Sequence, residues 1–389
     1  MSASQVSLVI MAGPCEGTET ERMVALARQA ITLDTVDRAL TSDAVGLIVV
    51  VTDCRSLAEA LQTKPVRIEP GSPGGEFHFG QRLRDLISQQ SMERVLYIGG
   101  GSGALLSAED INHIAETLLC SDRLVIANNF YSTDFAGFAP AATINSIQAP
   151  ALDNDLAWLL AEQAGLPCRE LPRNAATQLD VDTPTDLITL KPHPRVGPHV
   201  RRYLDSIDLA TSHVERALVH FSDRDAEVIV AGRVSASTWA YLERETACRV
   251  RVFAEERGMR ASGRQARGEA LSLLGYFLRE VGPERFFATL GEMSQAVFLD
   301  SRVLLAHEGI WPTPDDRFYS DLRCPEMIED PWLRDLTRAA MEAPIPIVLG
   351  GHSLVSGGLY ALVEAAWDRG KDLPRHVTPL NYQGNLGST

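Results

Sequence analysis

Residues 180–187 read DVDTPTDL and place two carboxylates, Asp180 and Asp182, directly before the start of a helix. Thr183 is a favourable N-cap residue, and Pro184 suits a first helical turn, where no backbone N–H is needed. One interpretation of the motif is therefore a capped helix start and nothing more. The other is that both carboxylates reach a ligand cleft at the end of an extended segment. The organisation of the first half of the chain favours the second interpretation.

Apolar, strand-like runs alternate with helical patterns ahead of this motif. Such alternation predicts a mostly parallel sheet with helices packed against it, and ligands bind such sheets at the carboxyl ends of the strands. The predicted strands are residues 6–11, 45–52, 66–68, 94–98 and 123–127, and the predicted helices are 21–40, 57–61, 81–90, 108–119 and 153–164. The loops expected at the binding edge are residues 12–20, 52–53, 99–106, 128–137 and 180–182.

The order and character of these loops resemble the nucleotidyltransferase fold of molybdopterin-guanine dinucleotide synthesis enzymes and 2-phospholactate guanylyltransferases. The resemblance covers about half of the chain. It rests on the stretches VSLVIMAG, FHFGQRLRDLI, VLYIGGGSGALLSAEDI, NNFYSTDFAGFAPA, DNDLAWLLAEQAGL and DVDTPTDL.

The resemblance implies a fold, a reaction and a set of site residues. The fold is a three-layer α/β domain with a mostly parallel sheet, joined to a second α/β domain. The reaction joins a nucleoside monophosphate from a nucleoside triphosphate to a small phosphorylated acceptor, with Mg²⁺ as the metal. The implied residues are Ala12, Gly13, Arg22, Gly99, Gly100, Gly101 and Ser102 for the nucleotide, Asn128, Asn129 and Asp134 for the acceptor, and Asp180 and Asp182 for the metal.

Two loops depart from that family's pattern. The first loop, MAGPCEGTETERM, keeps Gly13 and Arg22 but contains three glutamates and no lysine. The glycine turn at residues 99–103 replaces an aspartate that would hold the metal, with Asp134 or Asp53 as the nearest substitutes. The sequence therefore leaves open a transferase and a non-catalytic nucleotide- or small-ligand-binding protein that keeps the fold.

Two further motifs suggest other enzymes. Gly99, Gly101 and Ala104 match a dinucleotide fingerprint, but that fingerprint belongs on the first strand, with an acid ending the next one. The stretch IVLGGHSLVSGGLYALVEAA resembles a nucleophile elbow around Ser353, yet only His376 follows as a histidine partner. We interpret the second stretch as a strand, a glycine turn and a helix, in which His352 and Ser353 could still bind a ligand.

The second half of the chain begins after a proline-rich linker. We divide the chain into residues 1–191, a linker at 192–198 and an α/β accessory domain at 199–389. Strands are predicted at 227–231, 249–254 and 346–349, with a strand or extended segment at 296–306, and helices at 237–246, 270–281, 283–290 and 332–342.

This half offers an alternative active site. Polar side chains cluster in LDSRVLLAHEG and WPTPDDRFYSDL, which supply either a pocket or Asp/Arg pairs that order a loop. The basic stretch GMRASGRQARGE either contacts phosphate or forms a surface turn. The alternative site would contain Asp300, Arg302, His307, His352 and Ser353.

The amino-acid composition narrows the classes of partner that the protein is expected to bind. A net charge of −15 argues against nucleic acid or an anionic membrane surface as the main partner, leaving nucleotides and small phosphorylated metabolites. Six cysteines without a CxxC pair argue against a zinc knuckle or a disulfide framework, so the cytoplasm is the expected compartment. The sequence is compatible with assembly into a homo-oligomer.

Overall fold

Two β-sheets with flanking helices make up the protein, as a computed structural model that describes residues 5–71 and 76–369 shows. The predicted α/β class is confirmed. The strands are β1 Val6–Met11, β2 Val45–Val51, β3 Arg67–Glu69, β4 Val95–Gly99, β5 Leu124–Ala127, β6 Phe135–Ala139, β7 Cys168–Glu170, β8 Glu227–Gly232, β9 Arg249–Ala254, β10 Ala296–Asp300 and β11 Ile347–Gly350.

Fifteen α-helices lie in the described residues and surround these strands. They are α1 Glu19–Ala39, α2 Arg55–Leu61, α3 Phe79–Gln89, α4 Ala108–Leu119, α5 Leu156–Glu162, α6 Ala175–Gln178, α7 Pro184–Leu190, α8 Pro198–Ser206, α9 Ser212–Leu218, α10 Ala236–Glu245, α11 Leu273–Met293, α12 Ser301–His307, α13 Pro314–Asp321, α14 Pro331–Glu342 and α15 Leu359–Arg369. None of the helices described is long and apolar enough to cross a membrane.

The first sheet has seven strands in the order β3-β2-β1-β4-β6-β5-β7, and only β6 runs antiparallel to its neighbours. Alternate residues of each strand enter different hydrophobic clusters, as Leu8 and Ile10 do on one face and Val9 and Met11 on the other. Both faces are covered because helices contribute to both clusters: α1 and α4 to the first, α3 and α5 to the second. The sheet is therefore the middle of three layers, as predicted.

Strand β6 lies where the sequence analysis placed a loop, at residues 128–137. That interpretation is wrong for its last residues, because Phe135 and Phe138 are buried at 1% and 0% exposure and form ladders with β4 and β5. An antiparallel strand begins at the edge where its parallel neighbours end. Asp134, just before β6, therefore lies at the carboxyl ends of β4 and β5.

The second sheet has four parallel strands in the order β11-β10-β8-β9. Residues 296–306 were predicted as one strand or extended segment, and this is wrong after Asp300, where α12 begins. Asp300 caps that helix by accepting a hydrogen bond from the Arg302 N–H at 3.2 Å. Residues 301–306 are buried on every side, so no polar face marked them as helical.

One continuous hydrophobic core joins the two sheets. The same cluster contains Leu8 and Leu96 from the first sheet, Val228 and Phe298 from the second, and Tyr360 from α15. The second sheet's other face packs in a separate cluster with α11 and α14. The division at residues 191 and 199 stays a prediction, because each half covers part of the other's core.

The DVDTPTDL motif lies at the contact between the halves. Thr183 is the N-cap of α7 and Pro184 its first residue, as predicted from the sequence. Asp186 completes the cap by accepting hydrogen bonds from the backbone N–H groups of Asp182 and Thr183, at 2.9 and 2.7 Å. Its second carboxylate oxygen accepts from Ser353 Oγ at 2.5 Å. The motif thereby joins the first half to the loop after β11.

The predicted linker is packed against the first half. Asp34 of α1 accepts hydrogen bonds from the backbone N–H groups of His199 and Val200, both at 3.0 Å, and so caps the start of α8. His193 is fully buried. A Cβ at Gly197 would lie 2.3 Å from the Asp34 carboxyl carbon, so glycine is needed for this approach.

A disulfide joins the loops after β1 and β2. It links Cys15 to Cys54 with a Cα–Cα distance of 5.4 Å. The expectation of no disulfide framework is therefore wrong for this pair, because strands β1 and β2 are adjacent and bring their following loops together. The other four cysteines are free thiols.

Candidate functional site

A cleft of 860 Å³ opens where the carboxyl ends of both sheets face each other. On the first-sheet side it is lined by the turns after β1 and β4, the segment before β6, and the residues before α7. On the other side it is lined by residues that follow β8, β9, β10 and β11. Parallel sheets place ligand-binding loops at this edge, and here two sheets contribute to one cleft.

The glycine turn after β4 is shaped by backbone packing. A Cβ at Gly100 would lie 2.9 Å from Ala12 Cα, and one at Gly101 would lie 2.7 Å from Asp180 Oδ1. Both glycines are therefore required for the turn to fit between the first loop and the DVDTPTDL segment. The turn is also bonded to that segment, since Val181 N–H donates to the Gly101 carbonyl at 3.1 Å.

Four aspartates on the first-sheet side line the cleft, and we call them the acidic wall: Asp134, Asp153, Asp180 and Asp182. Neutral donors hold three of them. Asn128 Nδ2 donates to Asp134 at 2.8 Å, Tyr97 Oη to Asp153 at 2.7 Å, and Ser102 Oγ to Asp180 at 2.9 Å. These bonds orient the carboxylates but do not neutralise them.

Burial and neighbouring carboxylates raise the pKa values of Asp134 and Asp180 in the acidic wall. The pKa of Asp134 is raised to about 7, first by burial and then by the charges of Asp153 and Asp182. Burial also raises the pKa of Asp180 well above its usual range, with Asp182 and Asp134 adding to the effect. Clustered carboxylates with raised pKa values are typical of sites that bind a cation or transfer a proton.

Asp182 has a cationic partner. Arg28 of α1 forms an ion pair with it and donates from Nε to the Val181 carbonyl at 2.6 Å. Side-chain exposures of 35% and 56% show that solvent reaches the pair, so a ligand cation could displace Arg28 at modest cost.

Two carboxylates of the acidic wall could hold a hard divalent cation together with phosphate oxygens. Its donors are carboxylate oxygens, which Mg²⁺ prefers, and Mg²⁺ is commonly held by one or two carboxylates plus substrate phosphates. Within residues 5–71 and 76–369, no group of three or more His, Cys, Asp or Glu side chains is arranged to hold a metal ion. Asp180 and Asp182, with Asp134 beside them, are the residues that would hold Mg²⁺ with the help of phosphate oxygens.

Five arginines line the opposite side of the cleft. Two are neutralised: Arg233 makes two hydrogen bonds to Asp300, at 2.6 and 3.0 Å, and Arg302 pairs with Asp321 at 2.6 Å. Burial opposes the charge on Asp300, but the Arg233 guanidinium outweighs it and lowers the pKa of that carboxyl. The remaining three are Arg257, Arg260 and Arg317.

The structure brings together many residues predicted from the sequence. Gly13, Gly99, Gly100, Gly101, Ser102, Asn129, Asp134, Asp180, Asp182, Arg302, His352 and Ser353 all line the cleft. Asn128 is buried behind it and bonded to Asp134, and Ala12 lies under the glycine turn. The predicted nucleotide site and the alternative C-terminal site thus face one cleft.

Other predicted residues lie elsewhere. Arg22 is exposed on α1 and does not line the cleft. His307 packs against α11, where its Nδ1 accepts from the Ser272 N–H at 3.2 Å. Asp300 is completely buried behind Arg233. Asp53 accepts from the Gly71 N–H at 2.9 Å and is not part of the lining.

The glutamates of the first loop do not face the cleft either. Glu21 caps α1, because its carboxylate accepts from the Thr18 N–H at 3.0 Å. Glu16 and Glu19 are exposed and absent from the lining. These three glutamates are therefore not part of the cleft.

The nucleophile-elbow motif has the structure expected of it: β11, a glycine turn, a π-helical turn at Leu354–Gly358, and α15. Ser353 Oγ donates to Asp186 and so serves a structural contact. His376 lies outside the described residues.

Several lining residues were missed from the sequence. They are Arg28, Tyr97, Asp153, Asn154, Gln178, Arg233 and Arg257. Position after a strand could have found two of them, because Arg233 directly follows β8 and Arg257 follows β9 by three residues. Arg260 lies in GMRASGRQARGE, and Trp311 and Arg317 lie in WPTPDDRFYSDL, the two stretches for which the sequence left ligand contact open.

Solved structures similar to this chain cover about half of it. A cytidylyltransferase from Leptospira borgpetersenii is 15% identical over 52% of this chain and 93% of its own, with a TM-score of 0.38. A 4-diphosphocytidyl-2C-methyl-D-erythritol synthase from Anaerococcus prevotii is 17% identical over 43% and 87%, with a TM-score of 0.32. Rv0371c from Mycobacterium tuberculosis, in complex with manganese, is 18% identical over 52% and 99%, with a TM-score of 0.31.

No protein-family model and no curated protein matches the sequence.

Proposed function

We propose that the protein is a nucleotidyltransferase that joins a nucleoside monophosphate, taken from a nucleoside triphosphate with Mg²⁺, to a small phosphorylated acceptor. The observation that carries this proposal is the acidic wall beside the glycine turn, facing arginines across one cleft. A triphosphate needs carboxylates that hold its cation and a backbone that its phosphates can approach closely, and the acidic wall and the glycine turn offer both.

The proposed site residues divide into three groups. Gly13 and the turn from Gly99 to Ser102 would contact the nucleotide, since glycines let the backbone approach the ligand. Asp180 and Asp182 would hold Mg²⁺, which neutralises charge on the triphosphate as the α-phosphorus is attacked. Asn129 and Asp134 would face the acceptor.

The transfer needs no nucleophilic side chain. An oxygen of the acceptor's phosphate forms the new bond to the α-phosphorus, and the bond from that phosphorus to pyrophosphate breaks. A phosphate oxygen attacks as an anion, so no proton has to be removed from it. The chain's contribution is to position the two substrates and to exclude water, which is where most of the rate enhancement in such reactions arises.

A nucleotide-binding protein without transferase activity is the second candidate. No lysine lines the cleft in the described part of the chain, and Asp182 is paired with Arg28. Both observations fit a cleft that binds a nucleotide but has no lysine beside the glycine turn and has one proposed metal ligand already neutralised.

Thermal shift of the full chain tests nucleotide binding, using GTP, CTP, ATP and UTP, each with and without Mg²⁺. We expect a rise in melting temperature with at least one nucleotide only when Mg²⁺ is present, and its loss in Asp180→Asn. Asp335→Asn is the matched control, because Asp335 is exposed on α14, away from the cleft. No shift with any nucleotide would overturn the proposal.

Pyrophosphate release separates the two candidates. A transferase releases pyrophosphate when the triphosphate that shifts the melting temperature is incubated with phosphorylated metabolites, whereas a binding protein does not.

A further inference from the structure

The three arginines without carboxylate partners form a distinct surface in the cleft, which we call the arginine wall: Arg257, Arg260 and Arg317. Arg257 and Arg260 have no ion pair or side-chain hydrogen bond to any described residue. The Arg317 side chain donates from Nε to the Thr313 carbonyl at 3.4 Å. The backbone carbonyl of Arg317 accepts a long hydrogen bond from the Arg302 side chain.

Arg260 is close enough to Arg317 for their charges to repel. Burial, together with the positive charge of Arg302 and of Arg260, lowers the pKa of Arg317. Its guanidinium lies over the Trp311 ring, 4.8 Å from the ring centre, which fixes its position in the cleft. Asp300 and Asp321 form their ion pairs with Arg233 and Arg302, and the charge of Asp321 only partly offsets the lowering of the Arg317 pKa.

Local structure holds the segment of Arg257 and Arg260 at the cleft. Met259, between them, is 1% exposed and packs with Ala270 and Ala306. Glu256 pairs with Arg264 at 2.9 Å across the same loop. The backbone of this loop is therefore anchored while the two guanidinium groups remain exposed to the cleft.

The two sides of the cleft differ in the sign of their charge: the acidic wall carries carboxylates and the arginine wall carries guanidinium groups. A triphosphate with its divalent cation suits the acidic wall, because the cation bridges carboxylates and phosphates. An anion without a cation suits the arginine wall, since guanidinium groups bind phosphate through paired, charge-assisted hydrogen bonds. The second half of the chain would thus supply a site for the second substrate.

We propose that the arginine wall binds the phosphate of a small phosphomonoester, the second substrate, independently of the nucleotide and its metal. That this phosphomonoester is a substrate rests on the proposed function, whereas the phosphate-binding site itself does not. It assigns the C-terminal half a binding role and makes Arg257, Arg260 and Arg317 its specificity residues.

The test is isothermal titration calorimetry of the full chain with inorganic phosphate, at constant ionic strength and without divalent cations. We expect binding that is weakened about tenfold or more in the double variant Arg257→Gln/Arg260→Gln, because each lost contact is a charge-assisted hydrogen bond. The double variant Arg285→Gln/Arg338→Gln is the matched control. It removes the same charge from exposed arginines whose partners lie outside the cleft.

The same variants titrated with nucleotide and Mg²⁺ distinguish the two proposals. We expect Arg257→Gln/Arg260→Gln to keep nucleotide affinity and Asp180→Asn to keep phosphate affinity. Phosphate binding that is absent, or equal in wild type and the cleft variant, overturns the arginine-wall site. Loss of nucleotide affinity in the cleft variant would assign these arginines to the triphosphate and also overturn it. Phosphate binding without nucleotide binding would sink the proposed function alone.

Discussion

Single residues of DVDTPTDL have separate roles that the sequence did not distinguish. Asp180 and Asp182 line the cleft, as predicted, whereas Asp186 caps α7 and bonds Ser353. Burial raises the pKa of Asp186 to about 6, although the Ser353 hydrogen bond acts in the opposite direction. The sequence analysis singled out Asp180 and Asp182 and gave Asp186 no role, and the capping role of Asp186 became visible only from its neighbours.

Another residue gives the protein a pH-dependent stability. His213 of α9 is buried, and its pKa is lowered to about 3 by burial and by Arg323 and Arg216. The unfolded chain takes up a proton near pH 6.5, while the folded chain does not. The stabilisation present above pH 6.5 is therefore lost as the pH falls toward 3.

We expect the wild type to lose about 2–3 kcal/mol more unfolding free energy than His213→Gln between pH 6.5 and 4.5. Urea unfolding at both pH values measures this difference. His113→Gln, a change on the exposed face of α4, should follow the wild type. Parallel pH profiles for wild type and His213→Gln would show that His213 is not buried in its neutral form.

At the scale of elements, the sequence predicted most strands and helices but not all. Residues 108–119 and 249–254 were predicted with the bounds that the structure shows. Strand β6 was missed because it contains Gly137 and follows a polar run, a combination that resembles a loop. Helix α12 was missed because it is buried on all sides, and periodicity then cannot distinguish a buried helix from a strand.

The disulfide between the loops after β1 and β2 should stabilise this edge of the sheet. It closes a segment of 39 residues, for which the chain-entropy estimate is about 4 kcal/mol. We expect Cys15→Ser to lower the unfolding free energy by up to that amount under oxidising conditions. Cys120→Ser, which removes an exposed free thiol, is the control.

Chemical denaturation of the three proteins, with and without reductant, measures the effect. Reductant should lower the stability of wild type to that of Cys15→Ser and leave Cys15→Ser unchanged. Six titratable thiols in the unreduced, unfolded wild type would contradict the bond.

For the whole molecule, the main finding is that the two sheets share a core and a cleft. Leu8 and Phe298 belong to one cluster, and Asp180 and Arg257 line one cleft, although each pair comes from different halves. The separate sites considered from the sequence are therefore opposite sides of one site.

A shared core predicts cooperative unfolding of the full chain. We expect one transition in calorimetry and no cooperative transition for residues 1–191 alone, because that fragment exposes the apolar side chains of α6 and α7 that pack with α15. Two separate transitions, or a fragment with native-like stability, would contradict the shared core and support the predicted domain division. Far-UV and near-UV circular dichroism of the fragment provide the check.

The sequence by itself determined the α/β class, the N-cap of α7 at Thr183, and the acids and glycines at the strand ends, because these depend on local pattern and turn chemistry. Tertiary structure decided what faces those residues. The arginine wall, the ion pair of Arg28 with Asp182, and the Ser353–Asp186 contact join residues far apart in the chain. No local pattern encodes such pairs, since they form only when two sheets pack with their carboxyl ends toward one cleft.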